Sequence, residues 1–273
     1  MKELITSRQN PQVRAVCALA EKKKRRECGL FRFDGVKLFV EAIAAQIEIE
    51  SVFVRDPIAD GVAEALHRAV ESGCLREESI VAVSESVFEK ISEERAPEGI
   101  VTVAHCPTAL HARADRELSI RADERILIAE SLRDPGNLGT VMRSCAALGI
   151  DRLILSDDCA ELYNPKTVRS AMGALFRLPT LTVAEGELST LIETLRKQGR
   201  RVYATALRED ARKIGELTLR SGDCFVIGNE GHGLSEETIA ACDATAIIPM
   251  REGNESLNAA AAAAICIWET VRH

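Results

Sequence analysis

Little in this chain announces a metal, a membrane or a nucleotide cofactor. Its nine cysteines are an odd number and include no C-x-x-C pair, which argues against both a zinc cluster and a disulfide framework and predicts a reducing, cytoplasmic setting. The five histidines are dispersed without partners at ligand spacing, so no metal site is expected. No apolar region follows the opening MKELITSRQN, and no uncharged run reaches the ~18 residues of a membrane span. The longest candidate, LNAAAAAAICIW, is too short and too rich in alanine. Positive charge is also in deficit: 35 Lys and Arg against 42 Asp and Glu leave a net charge of −7. That excludes a uniformly basic surface but permits a local basic stripe. The glycine-rich stretch CFVIGNEGHGLSEE matches neither the dinucleotide fingerprint G-x-G-x-x-G nor the phosphate loop G-x-x-x-x-G-K-[ST].

With 273 residues, 46% hydrophobic and 28% charged, the chain can build two soluble domains. Residues 1–106 read as a small α/β unit. One helix is expected through NPQVRAVCALAEKKKRRE, a strand at LFRFDG, a helix from Val36 to Ala45 and a strand at IESVFVRD. A helix at PIADGVAEALHRAVESG and strands at IVAV and GIVTVAH follow. Pro107 and a run of charges break this rhythm, which predicts a linker over 107–120 and a second domain over 121–273. There, strands such as RILIAES, IDRLILSD, RVYATAL, DCFVIG and ATAIIPM alternate with helices such as NLGTVMRSCAALG, KTVRSAMGALF, STLIETLRKQG and LSEETIAAC. The alternation predicts a mostly parallel sheet covered on both faces, with ligands gathering beyond the strand carboxyl ends.

Three clusters in this half carry candidate chemistry. The first, SLRDPGNLGTVMRSCAALG, holds Asn137, Gly139 and Arg143; taken alone it is a helix capped by Asn137 with an exposed arginine. The second is the glycine loop, with Gly228, Gly231, Gly233 and Glu230; taken alone it is a tight turn before a helix capped by Ser235. The third, IIPMREGNESLNAAAAAAICIWE, ends a strand at Pro249, crosses a polar loop and starts an alanine helix at Ser256 and Asn258. Cys145 and Cys266 fall among apolar helical neighbours, as packing residues do, and the apolar neighbours of Trp268 point to the core or a subunit contact.

In this order the clusters resemble the three motifs of the SpoU family of RNA ribose 2′-O-methyltransferases, TrmH-like members of the SPOUT class, from Arg125 to the C-terminus. The N-terminal ITSRQNPQVRAVCALAEKKKRRECGLFRFDGVKLFVEAI is more weakly similar to the family's ribosomal-protein-like (L30e-like) substrate-binding domain. The resemblance implies an α/β fold whose C-terminal domain carries a parallel sheet and a deep trefoil knot, an exception to the rule against threaded chains. It implies S-adenosylmethionine as cofactor, held by Gly228, Gly231, Gly233, Ile248, Met250 and Leu257. It implies Arg143, Asn137, Glu230, Ser256 and Asn258 as the catalytic set, and a homodimer. One departure is Ala260, where relatives often have serine.

The RNA substrate implied is ribosomal, with transfer RNA as the alternative. Lys22, Lys23, Lys24, Arg25 and Arg26, with Arg8, Arg14, Arg32 and Lys37, are the expected phosphate contacts. Two other readings remain: an RNA-binding protein that keeps the fold without catalysis, against which the retained motif residues speak, and a nucleotide-cofactor oxidoreductase, disfavoured by the glycine order.

Overall fold

Arg25 decides where the first helix stops. The computed structural model describes residues 4–113, 120–184, 186–251 and 256–272. The stretch expected to form one helix is two: α1 (Pro11–Ala18) and α2 (Lys22–Cys28). Asn10 caps α1 by accepting from the Gln12 amide, and Pro11 is preset for the first helical position. Arg25 Nη1 then donates to the carbonyls of Leu19 and Ala20 at 2.7 and 2.8 Å. These carbonyls lie at the helix end, where no intrahelical donor reaches them, so the guanidinium terminates α1 and is itself only 3% exposed.

The chain continues through β1 (Leu30–Asp34), α3 (Val36–Ala44), β2 (Ile49–Arg55), α4 (Asp60–Glu71), β3 (Ile80–Val83), α5 (Glu85–Ile91) and β4 (Ile100–His105). The sheet order is β1-β4-β2-β3, with β4 antiparallel to both neighbours and β2 parallel to β3. Helix α4 buries Val62, Ala65, Leu66 and Ala69, the i, i+3, i+4, i+7 stripe its sequence shows. Helix α5 is absent from the sequence reading because seven residues are too few to display a period. Its Val87, Phe88 and Ile91 nevertheless close one core with Val13 and Val16 of α1 and with Phe53, Val81 and Val103 of the sheet.

The second half follows as β5 (His111–Arg113), β6 (Ile126–Ala129), α6 (Pro135–Leu148), β7 (Arg152–Ser156), α7 (Pro165–Ala171), β8 (Thr180–Val183), α8 (Leu188–Lys197), β9 (Val202–Thr205), β10 (Arg212–Lys213), β11 (Cys224–Ile227), α9 (Glu236–Ala241), β12 (Ala244–Ile247) and α10 (Ala259–Val271). Two compact units result: Met1–Pro107 with Tyr163–Phe176, and Thr108–Leu162 with Arg177–His273. The excursion that carries α7 into the first unit is anchored by aromatic contacts, Tyr163 to Phe31 at 4.8 Å and Phe176 to Phe33 at 5.4 Å between ring centroids. Residues 111–113, within the stretch read as linker, form the edge strand β5; residues 114–119 of that stretch lie outside the described residues.

In the second unit the sheet order is β10-β12-β9-β11-β6-β7-β8-β5, and every neighbouring pair is parallel. Strands β6 and β11 are buried at all four positions, as sequences covered on both faces must be. From β6 the chain winds outward through β7 and β8, then returns to the other side of β6 for β9, β11 and β12. The order therefore reverses between β6 and β11, and their carboxyl ends open a crevice. Among the described residues no helix is long and apolar enough to cross a membrane, and no group of His, Cys, Asp or Glu is arranged to hold a metal ion.

Candidate active site

The crevice is walled by the loops that leave β6 and β11. Glu130, the residue after β6, accepts from the Ser235 amide at 2.8 Å and from the Ser235 and Thr238 hydroxyls, both at 2.7 Å. One carboxylate thus staples the start of α9 to the end of β6. Ser235 also caps α9 through the Thr238 amide, as the S-E-E spacing predicts. Asn229 Nδ2 donates to the Ser131 carbonyl at 2.8 Å, tying the glycine loop to the same strand end. Ser131 holds a left-handed φ of 54°, a strained conformation for serine. Its amide donates to Ser156 Oγ and its hydroxyl to Asp158, which also takes hydrogen bonds from Ser156 and Arg133.

The glycine loop is rigid by its own bonds. Asn229 and Gly233 exchange amide-to-carbonyl bonds at 2.9 and 3.0 Å, and Asn229 Oδ1 accepts from the amides of Gly231 and His232. Four loop amides are therefore spent internally, so the loop is a ledge rather than a phosphate cradle. Gly228 is required by the chain itself: a Cβ there would lie 2.4 Å from the Gly233 carbonyl carbon. Gly233 is required by its φ of +70°, while a Cβ on Gly231 would meet only Asn229 Oδ1, at an ordinary contact distance of 3.6 Å.

Across the ledge runs a directed chain of side-chain amides. Asn258 caps α10 by accepting at Oδ1 from the Ala260 and Ala261 amides, at 3.0 and 3.2 Å. Its Nδ2 must then point away, and it donates to Asn137 Oδ1 at 3.0 Å. Asn137 Nδ2 in turn donates to Glu230 Oε1 at 2.6 Å. The helix terminus thereby fixes both amide orientations and aims a donor at the carboxylate. One expectation is corrected here. Asn137 does not cap α6; Asp134 does, by accepting from the Asn137 amide at 2.8 Å, and this leaves the Asn137 side chain for Glu230. Ala260 is 5% exposed, so a hydroxyl at this position would be buried in the first turn of α10.

Beside this chain lies a cleft of about 500 Å³, within the range of small-ligand sites. Gly228, Gly231, Gly233, Ile248, Met250 and Leu257 all line it, as do Glu230 and Ser256. The apolar walls include Ile227, Leu234, Ile239 and Ile247, and Arg208 and Glu236 form an ion pair at the rim. Apolar walls beside charged groups and strand-end main chain fit an amphipathic ligand such as S-adenosylmethionine. Arg143 is not among the lining residues. It is exposed on α6, and six residues at 100° each put it about 120° around the helix from Asn137 and ~9 Å along the axis. Among the described residues it makes no hydrogen bond or ion pair. The polar loop expected after Met250 falls at 252–255, outside the described residues.

Two of the expected phosphate contacts are corrected. Arg25 is buried as the α1 terminator, and Arg32, 7% exposed, donates to the Ile91 carbonyl and to Glu93. Burial with internal partners removes both guanidinium groups from a solvent-facing surface. Arg8, Arg14, Lys22, Lys23, Lys24, Arg26 and Lys37 are exposed. Burial pushes the Cys159 thiol up to about 11 and those of Cys224 and Cys242 up to about 12, and raises Cys145 and Cys266 further. These thiols stay protonated and act as packing groups. Glu130, Asn229, Arg208 and Glu236 escaped the sequence reading. A carboxylate directly after the strand ILIA was the available signal for Glu130; the rim pair, 28 residues apart, left none.

Comparison with known proteins adds an independent line. Residues 124–268 match the model of the SpoU rRNA Methylase family, and residues 10–102 match an MRM3-like substrate binding domain. The chain is 30% identical to a 23S rRNA (guanosine(2553)-2′-O)-methyltransferase of Bacillus subtilis over 264 residues, 97% of either chain. It is 32% identical to a 23S rRNA (uridine(2479)-2′-O)-methyltransferase of Streptomyces viridochromogenes, covering 98% of this chain and 91% of that one. Among solved structures, the SpoU methyltransferase AviRb of Streptomyces viridochromogenes in complex with the cofactor AdoMet superposes with a TM-score of 0.80 at 29% identity, over 96% of this chain and 98% of that one.

Proposed function

The chain belongs to the SpoU rRNA methylase family, and from that premise we propose that it transfers a methyl group from S-adenosylmethionine to a ribose 2′-hydroxyl of ribosomal RNA. The observation that carries the reading is the Asn258–Asn137–Glu230 chain beside an amphipathic cleft at the sheet's reversal point. When bound, S-adenosylmethionine supplies an electrophilic methyl carbon on a positively charged sulfur. Gly228, Ile248 and Leu257 would hold it with main-chain groups and Met250 with its side chain. The remaining task of the protein is to orient a ribose oxygen and stabilise charge on it as its proton leaves.

Glu230 suits the first part. Asn137 holds its Oε1, and Oε2, which has no partner among the described residues, is left to accept from a substrate hydroxyl. Arg143 suits the second. As a guanidinium it is a fixed cation, suited to face a developing alkoxide rather than to act as a base. Because Arg143 stands outside the cleft of its own chain, we place this role in a homodimer. The exposed face of α10, with Trp268 57% and Ile265 37% exposed, supplies an apolar surface for that contact. The interior position of β11 in the sheet and the packing of α10 on α6 and β11 also suit a knotted C-terminus. An experimental trace with residues 256–272 outside any enclosing loop would remove the knot. The free cysteines accord with a reducing cytoplasm.

Two relatives of nearly equal identity are named for different bases, so family membership leaves the target nucleotide open. Mass-spectrometric mapping of ribose methylation in ribosomal RNA from cells with and without the gene identifies it. Labelled-methyl transfer by Arg143→Ala and Asn137→Ala tests the roles. Both should keep donor affinity and lose at least tenfold in kcat, and an Arg143→Ala variant with full activity defeats the assignment.

A further inference from the structure

The first unit contains a second cavity of about 440 Å³ that the methyl-transfer reading does not use. Its floor is the open end of the α1 core, formed by Val16, Leu19, Phe53, Val81 and Val103. Its rim is solvent-exposed and polar: Lys24, Glu50, Arg76 and Glu78, with Ser51 half-buried between them. Glu50 Oε2 lies 3.2 Å from His105 Nε2, and Glu78 Oε1 lies 3.8 Å from Arg76 Nε. Lys24 belongs to α2, which also carries the exposed Lys22, Lys23 and Arg26.

We propose that this cavity takes an unpaired nucleobase of the RNA substrate, an inference that rests on the RNA-methylating function above. Three features converge on a base. The apolar floor, in which Phe53 is only 2% exposed, suits the hydrophobic body of an unpaired base rather than a charged group. Carboxylates and a serine hydroxyl at the rim accept from ring and exocyclic N–H groups, as acidic side chains do from the cytosine amine. The lysines of α2 meet the phosphates on either side of the inserted nucleotide. A free anion is disfavoured by two rim carboxylates. A wholly apolar peptide is disfavoured by the charged rim. Apart from Val103, the lining falls within the stretch that matches a substrate binding domain.

Two measurements on the full-length protein test the proposal. With methyl-labelled wild type, each of the four nucleoside 5′-monophosphates at millimolar concentration should shift the methyl resonances of Val16, Val81 and Val103, at least one of them strongly. In parallel, Ala15→Trp narrows the cavity from an exposed position on α1. It should weaken binding to protein-free ribosomal RNA at least about fivefold, the lower end of what one held base contributes. The salt dependence of that binding and the affinity for S-adenosylmethionine should stay unchanged. Floor methyls that respond to none of the four nucleotides, or wild-type RNA affinity in Ala15→Trp, overturn the proposal. A wild-type protein that neither binds nor methylates ribosomal RNA defeats the functional reading instead, and the two failures are therefore distinguishable.

Discussion

Alanine at position 228 should damage the donor cleft, whereas alanine at 231 should leave it intact. A Cβ on Gly228 would stand 2.4 Å from the Gly233 carbonyl carbon, 2.7 Å from its oxygen and 2.7 Å from the Leu234 nitrogen. All three are backbone atoms, so no side chain can swing aside. The loop must open, and the two Asn229–Gly233 hydrogen bonds at 2.9 and 3.0 Å open with it. Forced overpacking costs about 1–3 kcal/mol, and disrupted loop bonds push the cost toward the upper end. At about 2–4 °C per kcal/mol, Tm should fall by roughly 4–12 °C. Gly233→Ala meets no atom within 4 Å but must hold φ near +70°, a strain of about 1–2 kcal/mol. Gly231→Ala finds only Asn229 Oδ1, 3.6 Å away, and should stay within about 0.5 kcal/mol of wild type. Calorimetry with S-adenosylmethionine and thermal melts of the three variants should rank 228 worst, 233 intermediate and 231 silent. The reasoning is refuted if Gly231→Ala abolishes donor binding while Gly228→Ala melts normally. The glycines would then make room for the ligand and not for the chain.

Arg25→Met should lose about 1.5–3 kcal/mol by uncapping α1, with no change in the salt slope of RNA binding; Lys22→Glu with Lys23→Glu should show the reverse, a smaller slope at unchanged Tm. At Asp158, burial alone would raise the carboxyl. The hydrogen bonds from Ser131, Ser156 and Arg133 outweigh it and hold the pKa below its ordinary 3.8. A depressed folded-state value stabilises the protein above the ordinary pKa and loses that contribution as pH falls through the folded value. The stability deficit of Asp158→Asn, read by denaturant titration, should therefore be constant from pH 5 to 7 and shrink below about pH 4; a deficit that does not shrink in acid excludes this carboxylate as its source. Trp268→Glu should convert a dimer to monomer in light scattering, and an unchanged mass would move the interface elsewhere.

Where period and punctuation were strong, the sequence was readable. The Val62–Ala69 stripe of α4, the apolar runs of β6 and β11, and Gly149 ending α6 in a left-handed cap all follow from local rules. Short elements were not readable, because three residues of β5 or two of β10 have no period to show. The break after α1 was hidden because it depends on where one guanidinium goes, and a lysine-arginine run looks the same whether a member is buried or solvated.

The sequence by itself determined the alternating α/β plan and the three motifs, because backbone propensity, glycine placement and side-chain chemistry are properties of neighbouring residues. Tertiary structure alone decided that β11 pairs with β6, and so that Glu130 staples α9 and Asn258 reaches Asn137, residues 121 positions apart. It alone decided that Arg143 lies exposed on α6 and outside the lining of its own chain's cleft, and that Gly228 yields to Gly233. Hydrogen-bond partners and excluded volume are set by distance in space, and along these strands that distance is fixed by the order of the sheet.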